Sequence, residues 1–292
     1  MSFTINVFQF LSTQYDTGFI QALDADVSTA LSAVLPPLSA ALVIWIVILG
    51  YLMMTGGLDM RYGISKVVTM AIVVGLISSS SLYDLYVQNL FIVDVPSFIA
   101  TTFGTNSTTT IPQQLDNMLQ TFWITGIVLV KQASCYFCVL KPATVVLELI
   151  LISIPFVLAV GIVFAVYLIT HTLIGLLVVV GPFVLIGYLF DATKHIPTNW
   201  LGKLIGLMIL LLLVTIVLST FTGGMVDYLN NVISSKTTAE VAEEGILILA
   251  ELAAYASIIA FLTLLLPGIA AYIGGGISMD LSSLTNPANW FK

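Results

Sequence analysis

From Val145 to Phe190 the chain reads VVLELILISIPFVLAVGIVFAVYLITHTLIGLLVVVGPFVLIGYLF, with Glu148 as its one formal charge and His171 as its one imidazole. About 20 apolar residues at 1.5 Å each cross the hydrocarbon of a bilayer. This run is long enough for two crossings, with Thr170-His171-Thr172 as a candidate tight turn between them. Three further segments meet the length test: Leu38–Met54, Leu204–Phe221 and Ile246–Ile273. A weaker candidate covers Lys66 to Leu82, where a short apolar core, VVTMAIVVGLI, is followed by four serines. Only 8% of the residues are charged, against about 25% in an ordinary soluble domain. The polar surface is too small to cover a water-soluble globule, so part of the solvent is lipid.

The N-terminus lacks the positive region of a cleavable signal peptide, because no Lys or Arg precedes Arg61. Residues 1–35 read instead as an amphipathic helix. Phe8, Leu11, Tyr15, Phe19, Leu23, Val27, Leu31 and Val34 recur at three- and four-residue steps, with Asp16, Gln21, Asp24 and Asp26 between them. Such a helix lies along an interface or packs on a partner. From Tyr83 the character turns polar, with Asp84, Asp94 and Asp116 and the tract TTFGTNSTTTIPQQ at 101–114, which reads as an aqueous loop. The following stretch, 118–140, is hydrophobic but carries Lys131 near its middle. A lysine at mid-bilayer costs about 2.5–3.5 kcal/mol on insertion scales, so an extra span here and an interfacial helix stay open as alternatives.

Basic residues arbitrate the orientation. With the N-terminus outside and 118–140 crossing, Arg61, Lys66, Lys141, Lys194, Lys203 and Lys292 fall inside and Lys236 alone falls outside. If 118–140 stays outside while 145–190 crosses twice, only Arg61, Lys66 and Lys236 are inside. The excess of cytoplasmic Lys and Arg in membrane proteins favours the first arrangement, or a single crossing with a re-entrant segment within 145–190. The expectation is an all-α polytopic transmembrane helix bundle of five to seven spans, N-terminus outside and C-terminus inside. Its parts are a periplasmic amphipathic helix (1–35), a transmembrane hairpin (36–82), a mainly periplasmic central region (83–145), a hydrophobic bundle (146–273) with a cytoplasmic loop at 191–203, and a tail (274–292).

Several chemistries find no support. The net charge of -7 argues against a general nucleic-acid surface. There is no G-x-x-x-x-G-K-[ST] phosphate loop, no H-E-x-x-H metal helix and no G-x-S-x-G nucleophile elbow. No enzyme activity, cofactor or metal is expected. Cys135 and Cys138 form the one C-x-x-C pair; a structural disulfide in the periplasm and two reduced packing thiols remain equally open. Glu148, His171 and Glu251 lie in or near hydrophobic segments, where an ionisable group either serves a function or reaches the headgroups from a segment end. Pro155, Gly181-Pro182 and Pro267-Gly268 interrupt spans, and each proline frees a carbonyl that needs another donor in lipid. Gly202-x-x-x-Gly206 could bring two helices close together.

Charge gathers in one short stretch, GPFVLIGYLFDATKHIPTNWLGK, Gly181 to Lys203. A glycine-proline in a hydrophobic helix is followed by Asp191-x-Thr193 and then by Trp200 opening the next helix. This pattern resembles the TrbL/VirB-type polytopic inner-membrane subunit of bacterial type IV secretion systems, and the general architecture is similar over nearly the whole chain. The resemblance implies a non-enzymatic subunit of the bacterial inner membrane. Such a subunit contacts pilin, minor-pilin or stalk subunits and secretion ATPases, and takes part in pilus assembly and conjugation and in export of DNA or protein. It implies that Trp200 lies on the cytoplasmic side, with Gly181, Pro182 and Phe190 on the preceding helix. Lys194 and Lys203 hold the same edge by charge, and the grouping of charge, Pro197 and Trp200 in a short loop reads as an assembly and docking region, with the opposing reading that these residues only anchor a helix end in membrane lipid. A homo-oligomer is expected, because one small bundle is too narrow for a macromolecule. The rival reading is a secondary transporter for a small solute, suggested by the broken helices.

Overall fold

The computed structural model describes residues 6–56, 60–103, 110–133, 140–190, 192–235 and 238–274, and among these the chain is helical with no strand. Helix α1 runs unbroken over Val7–Met54, through Pro36 and Pro37. After α2 (Met60–Ser78) the chain turns by 101° at the serines. It continues as a short α3 (Ser80–Tyr83), two π-helical turns (Asp84–Gln88 and Leu90–Asp94) and α4 (Val95–Phe103). Then come α5 (Ile111–Ala133), α6 (Leu140–Leu185) prolonged by a 3-10 turn (Ile186–Leu189), α7 (His195–Ser235) and α8 (Thr238–Ile273).

Among the described residues four helices, in α1, α6, α7 and α8, are long and apolar enough to cross a membrane, and a fifth is added if the bent pair Val67–Ser78 and Ser81–Phe103 is one span. Two sequence expectations are corrected here. The run 145–190 is one continuous helix, not a hairpin, so the upper end of the five-to-seven range is not reached. Thr170-His171-Thr172 offers neither the glycine nor the proline that a tight turn needs. The Thr170 hydroxyl donates back to the Val166 carbonyl at 2.7 Å, a bond that helical backbone accommodates. The helices also run through Pro155, Pro182 and Pro267 rather than ending there. At 46 residues α6 is roughly 70 Å long, about twice the hydrocarbon thickness.

The chain divides into two compact units, one of Met1–Gln14, Ser97–Thr170 and Leu210–Ile269, the other of Tyr15–Pro96, His171–Ile209 and Ala270–Lys292. In the first, Phe122 is fully buried and stacks on Phe156 with ring centroids 4.1 Å apart, and Phe8 lies 4.9 Å from Phe164. The start of α1 is held by a distant carboxylate. Both oxygens of the buried Asp116 accept backbone N–H groups, from Phe8 at 2.9 Å and from Gln9 at 2.8 Å. First-turn N–H groups have no helical partner, and an anion there also meets the positive end of the helix dipole.

In the second unit α1 buries Leu23, Val27, Leu31, Val34 and Leu38 against Met70, Val73 and Ile77 of α2 and Ile174, Val178 and Leu185 of α6. The periodic stripe is therefore covered from Leu23 onward by the chain's own helices. Tyr15 meets Thr172 (2.5 Å between hydroxyl oxygens), and a Cβ on Gly175 would touch Leu23 and Phe19. Along this contact α1 and α6 advance in the same direction.

Candidate functional site

The second unit is organised around Gly181-Pro182. Proline has no N–H, so Pro182 leaves the Val178 carbonyl without its helical donor. The hydroxyl of Tyr83 supplies one, donating to Val178 O at 2.5 Å. One residue earlier the indole Nε1–H of Trp200 donates to Leu177 O at 2.8 Å. Gly181 makes room for both rings: a Cβ there would collide with the Tyr83 hydroxyl and stand 2.8 Å from Trp200 Cζ2. Tyr83 is wholly buried and Trp200 nearly so. The Tyr83 hydroxyl thus replaces the one bond that Pro182 removes, and the Trp200 indole adds a second donor to the neighbouring carbonyl.

The chain is helical from Tyr83 to Phe103, and the Tyr83 and Trp200 rings both lie against Gly181. In this stretch Tyr83, Val87 and Ile92 face the core. The buried Gln88 donates to the carboxylate of Asp24, which is exposed on α1, so its amide is satisfied at the edge of the helix packing.

Past the node, Phe190 is extended (φ -118°, ψ 133°) and ends the 3-10 turn. Thr193 closes the tight connection, its hydroxyl donating to Gly187 O at 2.9 Å and its N–H to Phe190 O at 3.1 Å. Pro197 is buried, and Gly187 lets it approach. Of the residues assigned to docking, Gly181, Pro182 and Trp200 are buried frame, Phe190 and Lys194 are exposed, and Lys203 is half-buried. Asp191, Cys135, Cys138 and the tail beyond residue 274 lie outside the described residues.

The Gly202-x-x-x-Gly206 pair does form a close contact. A Cβ on Gly274 would come within 2.5 Å of Gly206 Cα and 3.1 Å of Gly202 O, so the end of α8 rests backbone to backbone on α7. His171 lies 3.8 Å from Asp16, and Glu251 accepts the hydroxyl of Tyr228, so each of these has a polar neighbour within the chain. Glu148 is half-buried. No cluster of metal-ligating side chains occurs among the described residues. Tyr83 and Asp116 are the two working residues that sequence reasoning missed. The proline's orphan carbonyl signalled that a donor was needed, but not which residue supplies it.

Fold and node together define a multi-pass α-helical membrane protein whose polar side chains are spent on mending and pairing helices. A model of the TrbL/VirB6 plasmid conjugal transfer protein family matches residues 42–277, and the chain belongs to that family. It is 35% identical to a protein VirB6 of Agrobacterium tumefaciens strain 15955, over 97% of each chain. It is 34% identical to a protein VirB6 of Agrobacterium fabrum strain C58, over 94% of this chain and 92% of the relative. A type IV secretion system protein VirB6 of Bartonella henselae is 24% identical over 77% of this chain and 69% of its own. The chain is therefore a type IV secretion system subunit of the inner membrane.

Proposed function

We propose that this subunit is a scaffold and channel-forming component of its secretion system, supporting pilus assembly and the export of DNA or protein substrates. The observation that carries the reading is the edge at 190–203: the exposed Phe190 and Lys194 stand on a turn that Thr193, Pro197 and the buried node beneath it hold in place. A rigid, exposed aromatic beside a cation is the kind of anchor that dominates protein interfaces. The partner at this edge is a cytoplasmic secretion ATPase; pilin or stalk subunits meet the outer side, and copies of the chain surround the passage.

Five crossings, with the bent pair as one, support the orientation this requires. The N-terminus is outside, Arg61, Lys66, Lys194, Lys203 and Lys292 are inside, and Lys131, Lys141 and Lys236 are outside, five against three. The common direction of α1 and α6 agrees with both helices entering the cytoplasm at their C-terminal ends. The test is substrate transfer by cells carrying Phe190→Ala or Lys194→Glu. Loss of one such anchor lowers transfer roughly tenfold at unchanged chain level. Transfer at the parental rate with both variants would remove the docking role from this edge.

A further inference from the structure

From Ser80 to Asp94 the chain forms α3 and the two π-helical turns. A π-turn closes i→i+5 bonds in place of i→i+4, and such turns gather at functional sites. Here the wider pitch points Tyr83, Val87 and Ile92, four and five residues apart, into the core. The same pitch leaves Leu85, Tyr86, Leu90 and Val93 on the outside, each between 40% and 60% exposed. They fall in two four-residue rows, Leu85-Asn89-Val93 and Tyr86-Leu90-Asp94. Carboxylates border this apolar face. Asp94 ends the second row and is exposed. Asp84 stands one turn before Gln88, which reaches Asp24 on α1, and it lies near enough to Asp24 to feel that charge. Asp24 and Asp84 form no ion pair among the described residues. No Lys or Arg occurs before Arg61 or between Lys66 and Lys131, so the segments that build the face supply no counter-charge.

Water suits contiguous apolar side chains poorly, and such patches mark interaction sites. Lipid suits the carboxylates poorly: their cost in hydrocarbon keeps the face out of the bilayer core, and anionic headgroups repel them. A protein segment that sets Lys or Arg beside apolar side chains answers both halves. We propose that the outer face of 82–94 is a docking surface for such a basic, apolar segment of another secretion subunit. Its apolar side chains cover Leu85, Tyr86, Leu90 and Val93, and its cations meet Asp24, Asp84 and Asp94. Complementary charge fixes the register of a contact and selects against wrong partners. A second copy of this chain, itself at net charge -7, is one of those it disfavours. The surface needs only that the chain is a subunit of an assembly, not the channel role proposed above.

The test places a photo-crosslinking amino acid at Tyr86 of the full-length chain, in cells that carry the assembled secretion system, and sequences the attached peptide by mass spectrometry. The expected adduct is a segment of another subunit with several Lys or Arg among apolar residues. Asp84→Lys lowers its yield about fivefold, the factor for one exposed ion pair, at an unchanged level of the chain in the membrane. Leu90→Glu lowers it as well. The same photo-crosslinker at Leu247, an exposed apolar position on α8, does not give this adduct. Adducts only with lipid, with a second copy or with a segment that lacks cations would overturn the proposal, as would no adduct at all. So would a yield that Asp84→Lys leaves unchanged, or the same adduct from Leu247.

Discussion

Tyr83→Phe removes one hydroxyl and nothing else, and the node determines what that costs. The hydroxyl is buried and donates to Val178 O at 2.5 Å. Without it the carbonyl freed by Pro182 has no donor in a place that water does not reach. An orphaned buried acceptor costs about 1–3 kcal/mol, so Tyr83→Phe destabilises the chain by about 2 kcal/mol. Pro182→Ala restores the backbone N–H and with it the helical bond to Val178 O. In that background Tyr83→Phe costs less than about 1 kcal/mol, the net value of an ordinary hydrogen bond. The four proteins are compared by equilibrium unfolding in mixed micelles, and the coupling is the difference between the two Tyr83→Phe penalties. Penalties equal within about 0.5 kcal/mol, the scatter of independent sites, would refute the argument that Tyr83 answers the proline.

Other substitutions have directions set by the same helix packing. Gly274→Ala places a Cβ 2.5 Å from Gly206 Cα and destabilises by about 1–3 kcal/mol. Gly206→Ala, with its nearest neighbours at 3.6 Å, leaves thermal unfolding almost unchanged. Asp116→Asn turns a carboxylate that accepts from Phe8 and Gln9 into an amide able to accept only one of the two. It costs about 1–2 kcal/mol, seen as faster hydrogen exchange in the first turns of α1. Phe122→Ala removes a fully buried ring stacked on Phe156 and lowers stability by about 3–5 kcal/mol; unfolding in detergent checks it.

Much of this was legible in the residues themselves. The apolar runs announced α1, α6, α7 and α8 because length in lipid is a hard constraint, and the stripe Leu23, Val27, Leu31 and Val34 announced the buried face of α1. The glycine pair on α7 was visible too, although its partner at Gly274 was not. What could not be read was what meets what at long range. Tyr83 and Val178 are 95 positions apart, and Asp116 and Phe8 are 108; no local pattern encodes such pairings. Two local signals also misled. Thr170-His171-Thr172 looked like a turn because its polarity interrupts an apolar run, yet threonine hydroxyls can bond back into a helix. Pro182 looked like a break, yet a helix survives a missing N–H when a side chain from elsewhere satisfies the carbonyl. At the 190–203 edge, Trp200 reads from the sequence as an interface residue; its ring is nearly buried and its N–H is turned inward to Leu177 O.

The scaffold reading is tested most directly by what the subunit holds in its own membrane. Native membranes are solubilised in a mild detergent, the chain is recovered through a C-terminal tag, and the associated proteins are identified by mass spectrometry. Pilin-like subunits and a secretion ATPase co-purify with the parental chain, and the ATPase is lost with Lys194→Glu. Recovery of the stable subunit alone, under conditions in which the membrane complexes of the secretion system survive, would contradict the account.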